Sequence, residues 1–152
     1  MHMALRTILM TAIFFACLTP VFAQSTPEQI ATRFFDIYKT EGGSDSAVSY
    51  LFATNKYTMD LASQLDTVKV KLKQYIAYFG QFHGYDLLTK KTAGPNYILF
   101  VYLVRHDREP LTFRMLFYKP ADKWKIQTFN FNESMDDELQ DASKAISFKE
   151  NN

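Results

Sequence analysis

Apolar residues recur with two different periods along this chain, and the period changes near Gly80. Before that point they fall three and four apart, which places them on one face of a helix. Ile30, Phe34 and Ile37 form a first stripe, Ala47, Val48 and Leu51 a second, and Leu61, Leu65, Val68, Leu72 and Ile76 a third. The first helix has a start signal: Thr26 as N-cap, Pro27 at the first helical position and Gln29 to complete a capping box. "EGG" at 41–43 ends it. A short second helix begins at Ser44 or Asp45 and closes at Asn55. The third begins at Asp60, with Gly80 as its C′ residue. "VKVKLK" alternates like a strand when read alone, but the longer window favours the helix; residues 56–59 fit either a strand or a helix.

After Gly80 the runs "YDLLTKKT", "YILFVYLVRH", "LTFRMLFYK" and "KWKIQTFNF" read as strands. "AGPN", "DREP" and "PAD" between them carry turn chemistry, and connections this short imply an antiparallel meander. The pattern predicts an α+β domain, with three N-terminal helices packed in a curved antiparallel sheet of four or more strands. "ESMDDELQDASKAI" reads as one more helix or as a frayed end.

Two strands say more. "YILFVYLV" is apolar on both faces, so it is central and covered on both sides. Helices cover one face; a partner subunit or the curl of the sheet covers the other. In the last strand Trp124 and Ile126 share one parity, Phe129 and Phe131 the other. A bulge near Gln127 or Thr128 reconciles them and bends the sheet.

The N-terminus changes the picture of where the domain resides. Arg6 precedes the apolar run "ILMTAIFFACL", then Pro20, with Val21 and Ala23 fitting a signal-peptidase site. Residues 1–23 are expected to be a signal peptide and 24–152 a single exported domain, periplasmic or secreted. The run is short for a membrane span, which needs about 20 residues. Processing at Cys17, which follows "FFA", is the alternative and would leave a lipoprotein. Cys17 is the only cysteine, so the domain after Ala23 has neither thiol nor disulfide. Without Arg6 the remaining sixteen basic residues balance sixteen acidic ones. That neutrality argues against nucleic acid and anionic membranes as partners. No phosphate loop, dinucleotide-binding glycine set, nucleophile elbow or zinc motif is present, so no cofactor and no metal is expected. Aromatics make up 16% of the chain and suit either a large-residue core or a pocket lining.

"FGQFHGYDLL", "YLVRHDREPLTF" and "FYKPADKWKIQTFNF", following helices in this order, resemble the nuclear transport factor 2-like superfamily, and within it exported bacterial proteins of unknown function. The resemblance implies a cone-shaped fold. It also implies a choice of roles, because that fold hosts binding modules, assembly modules and enzymes resembling ketosteroid isomerase or scytalone dehydratase.

Candidate chemistry is sparse. His83, between Gly80 and Gly84, invites pairing with Asp86, but three residues of strand put the two on opposite faces. His83 therefore reads as a corner residue or, in the functional reading, as an acid–base group at the cone mouth. "RHDREP", 105–110, is densely polar and reads as a solvated hairpin tip, with Asp107 bonding its own backbone. Arg114 interrupts an apolar strand and calls for an acceptor: Asp86, a ligand carboxylate or a partner subunit. Tyr38, Tyr85, Tyr97 and Tyr102 are candidate cavity linings. The tentative ligand-binding set is Tyr38, His83, Tyr85, Tyr102 and Arg114. The expected role is a non-enzymatic module that binds a small apolar ligand or a partner protein and pairs as a homodimer through the sheet. The alternatives are a cone-fold isomerase or dehydratase, or a structural homodimer in an envelope assembly.

Overall fold

The computed structural model describes residues 25–135. The expected signal peptide, Cys17, and residues 136–146 of the expected C-terminal helix lie outside the described residues; Ser134 and Met135, at its start, are not helical. The chain runs α1 (Pro27–Tyr38), α2 (Gly43–Ala53), a 3-10 turn (Lys56–Leu61), α3 (Ala62–Phe79), then β1 (Phe82–Thr92), β2 (Tyr97–His106), β3 (Leu111–Tyr118) and β4 (Lys125–Asn132). The strands form one antiparallel sheet in the order β1-β2-β3-β4. This is the expected α+β arrangement, with the helices ahead of the sheet.

Local chemistry accounts for the helix starts. The Gln29 amide donates to the Thr26 hydroxyl at 3.2 Å, and the Thr26 amide donates to the Gln29 side chain at 2.9 Å. Together they satisfy two donors that the first turn leaves free. Asn55 does not close α2. Thr54 does, and Asn55 caps the 3-10 turn by accepting from the Tyr57 amide. Its side-chain amide donates to the Ile126 carbonyl at 2.7 Å, tying the turn to β4. Residues 56–59 are thus helical, and "VKVKLK" lies within α3.

The core lies between the helices and one face of the sheet. Phe34 and Phe35 of α1, Val48 and Leu51 of α2, and Leu72 and Phe79 of α3 meet Phe100, Phe113, Met115, Phe117 and Ile126 of the strands. Even-numbered residues of β2 point inward. On the other face Leu99 and Leu103 are half-buried, Tyr97 is exposed and Val101 is buried. Three bulges interrupt the ladders. Two fall in β1, at His83 and Leu88, and one in β4, at Gln127, one of the two places the parity switch predicts. Past β4 the chain returns to the sheet at Thr112, whose hydroxyl lies 3.0 Å from the Met135 sulfur.

Candidate functional site

His106 is the last residue of β2, and strand alternation carries it inward. It continues the row of Ile98, Phe100, Tyr102 and Val104 and is only 8% exposed. The expected solvated tip holds for its neighbours Arg105, Asp107, Arg108 and Glu109, which are exposed, but not for His106. Nε2 lies 3.1 Å from the Tyr38 hydroxyl at the end of α1. Nδ1 is buried and has no hydrogen-bond partner among the described residues. Burial pushes the imidazole below its ordinary 6.5; the Val104 backbone, short of a proper hydrogen bond, pulls it upward, His83 pushes it down and Asp107 raises it. Burial raises the Tyr38 phenol well above its usual range, so it keeps its proton and can donate.

The pair borders a cavity of about 510 Å³, lined by Tyr38, Ile76, Ala77, Phe82 and His106, by Lys73 and Gln81, and by the α1–α2 loop and the start of α2, residues 39–44. That segment sits tightly: a methyl group on Gly43 would collide with the Ile37 carbonyl oxygen. Lys73 of α3 reaches the Asp45 carboxylate at 2.6 Å across the same rim.

A polar clasp holds the opposite rim. The Asp107 carboxylate accepts from the Gln81 amide at 2.7 Å and bonds His83 Nε2 at 2.5 Å. The Arg108 amide donates to the Phe79 carbonyl at 2.9 Å, and the Arg108 guanidinium lies 5.4 Å from the centre of the Tyr78 ring. The hydrogen bond from His83, then that from the Gln81 amide, hold the Asp107 carboxyl below its usual 3.8. The two polar stretches of the sequence are therefore one place, where the end of α3 meets the β2–β3 turn. Asp107 bonds the start of β1 and not its own turn.

The candidate residues divide. Tyr38 lines the cavity. Tyr85 stacks on Phe35 at 3.7 Å between ring centres, and Tyr102 meets Phe35 edge-on at 5.0 Å, so both pack beside the cavity rather than line it. His83 is about half exposed, outside the cavity, because it is the extra residue of the first β1 bulge. Its carboxylate partner is Asp107; Asp86 instead meets Arg105 at 3.0 Å. Arg114 is half-buried on the sheet face away from the helices. Tyr97 is exposed at the start of β2. His106 was hidden by its charged neighbours, although the even-numbered parity of β2 reaches it.

Among the described residues no cluster of three or more His, Asp or Glu could hold a metal ion, and no helix is long and apolar enough to cross a membrane. No family model matches the chain, and no curated protein and no solved structure matches it either.

The lowered titration of His106 has a sign in stability. Below 6.5 the unfolded chain takes up a proton that the folded chain refuses. Stability is therefore expected to fall as pH drops from 6.5 toward the lower folded value, and to be free of this penalty above 6.5. Urea midpoints of the wild type and His106→Phe, measured across that window, check this. The variant should lose part of the slope; equal slopes would show that His106 titrates normally in the fold.

Proposed function

We propose that the chain is an exported, non-enzymatic binding module of nuclear transport factor 2-like type, and that it takes a small, largely apolar molecule with one polar group into the Tyr38–His106 cavity. One observation carries the reading: a hydrogen-bonded, buried Tyr–His pair borders a hollow of ligand size that has an apolar wall of Ile76, Ala77 and Phe82 and a polar rim that includes Glu41, Lys73 and Gln81. The enzyme alternative gains from a buried histidine with a lowered pKa, which is a usual mark of a catalytic base. It loses more from the placement of the acids. An activated histidine is oriented by a third group; His106 Nδ1 has no such partner among the described residues, and the neighbouring carboxylate, Asp107, is spent on His83 and the Gln81 amide. Binding without catalysis is the better fit.

The neutral probe N-phenyl-1-naphthylamine tests the cavity. The wild type should bind it saturably. Ala77→Trp places a bulky ring at an exposed helix position on the cavity wall. It should weaken binding about tenfold or more while the melting temperature holds. No saturable binding, or an unchanged affinity in Ala77→Trp, would remove the cavity from the function. A homodimer through the outer sheet face belongs to the same proposal, supported by the half-buried Leu99, Leu103 and Leu116 there. A one-chain mass in light scattering of the same samples would remove it.

A further inference from the structure

At the far end of the domain, a broad cleft of about 940 Å³ opens between α2, the 3-10 turn and the β3–β4 turn. Its wall is aromatic and basic. Trp124, Tyr57 and Tyr50 line it together with Lys56, Lys123 and Lys125, and the one acid in the lining is Asp122. The cations sit on ring faces. Lys119 Nζ is 5.3 Å from the centre of the Trp124 ring, and Lys125 Nζ lies 4.8 Å from that of Tyr57 and 5.6 Å from that of Tyr118. Lys56 Nζ is 5.1 Å from the Tyr57 ring. Lys119 and Lys125 are half-buried, and neither has a carboxylate within ion-pair distance among the described residues. Removing an ammonium from water costs free energy that a ring face offsets only in part. The patch thus gathers three lysines on two aromatic platforms, with Lys123 beside them in the lining.

We propose that this cleft is a second binding site, for a short acidic oligosaccharide whose pyranose rings carry carboxylates. The apolar C–H face of a sugar ring suits an indole or phenol platform, and a carboxylate beside it suits an ammonium already partly stripped of water. Two platforms, Trp124 with Lys119 and Tyr57 with Lys56 and Lys125, suit an oligosaccharide rather than a single ring. A nucleic acid strand would also stack on aromatics, but it calls for a basic track along its backbone, and beyond this patch the charge balance of the chain supplies none.

The sole tryptophan of the sequence lies in the cleft, so its emission reports binding directly. Tri-galacturonate titrated into the full exported protein at low salt is expected to change Trp124 emission saturably. Added salt should weaken the response. Lys119→Gln with Lys125→Gln should weaken it about tenfold or more. If that pair fails to fold, Lys56→Gln with Lys123→Gln, at two exposed positions, should weaken it in the same direction. The uncharged trisaccharide should leave the emission unchanged. An equal response to the neutral sugar, an unchanged affinity in the lysine variants, tighter binding of oligo(dT), or no saturable change would each overturn the proposal. None of these outcomes touches the Tyr38–His106 cavity, which lies elsewhere and is read with a neutral probe.

Discussion

Phe113→Ala is expected to cost the fold more than any other substitution considered, roughly 3–5 kcal/mol. Phe113 is fully buried at the centre of the sheet's inner face. Its ring meets those of Phe34, Phe35 and Tyr38 on α1, and those of Phe129 and Phe131 on β4. Truncation removes the transfer energy of the ring and leaves a void between two layers. Neither layer can close on the void freely, because β3 is held by ladders on both sides. A domain of this size has about 5–15 kcal/mol in total, so the melting temperature should drop by roughly 10–20 °C. Thermal melts followed by circular dichroism check this. A fall of only a few degrees would mean that the aromatic layer repacks around the missing ring. The same ring bears on the cavity, since Phe113 packs against Tyr38, the partner of His106. Loss of probe affinity in a still-folded Phe113→Ala protein would follow from that contact.

What could be read from the sequence was what the chain decides locally. The capping box at Thr26 and Gln29 is legible because its two bonds span three residues. The β4 bulge is legible because apolar parity must reverse between Ile126 and Phe129; the structure places it at Gln127. The strand order follows from turns too short for any other path. The site was less legible, because its bonds join distant segments. Tyr38 and His106 are 68 residues apart, and His83 and Asp107 are 24 apart. A run such as "RHDREP" looks solvated as a block, whereas alternation sorts it residue by residue, sending His106 inward and leaving its neighbours out. Asn55 was misread for the same reason: it resembles a helix stop, but its side chain serves the next turn and a strand 71 residues away. The basic cleft escaped notice because Tyr57 and Lys56 come from one end of the domain's sequence and Lys119, Trp124 and Lys125 from the other.

Gly80→Ala should destabilise by roughly 2–4 kcal/mol, and His83→Ala, three residues on, by far less. Gly80 follows α3 with φ +90°, a region where a side chain collides with its own backbone. Its amide still donates to the Ile76 carbonyl at 2.8 Å, so the residue ends the helix as a C′ glycine does. There is also no room. A methyl group would lie 2.5 Å from Asp107 Oδ2 and 2.9 Å from Asp107 Cβ. The oxygen could swing aside, but Cβ moves only if the β2–β3 turn moves. That shift would stretch both the Gln81–Asp107 and the Arg108–Phe79 hydrogen bonds. His83, by contrast, loses one exposed partner when truncated, and exposed pairs contribute little. A double-mutant cycle with Asp107→Gly, which removes the Cβ as well as the carboxylate, separates the two causes. If the collision dominates, Gly80→Ala should cost less in the Asp107→Gly background, down to about the 1–2 kcal/mol of the backbone conformation alone. Purely additive costs would assign the whole effect to φ. A His83→Ala protein as unstable as Gly80→Ala would refute the clasp as described and make the histidine its centre. The consequence for binding follows from position. Gly80, Gln81 and His106 all border the 510 Å³ cavity, so a displaced turn should weaken the neutral probe in Gly80→Ala even at temperatures where the protein stays folded.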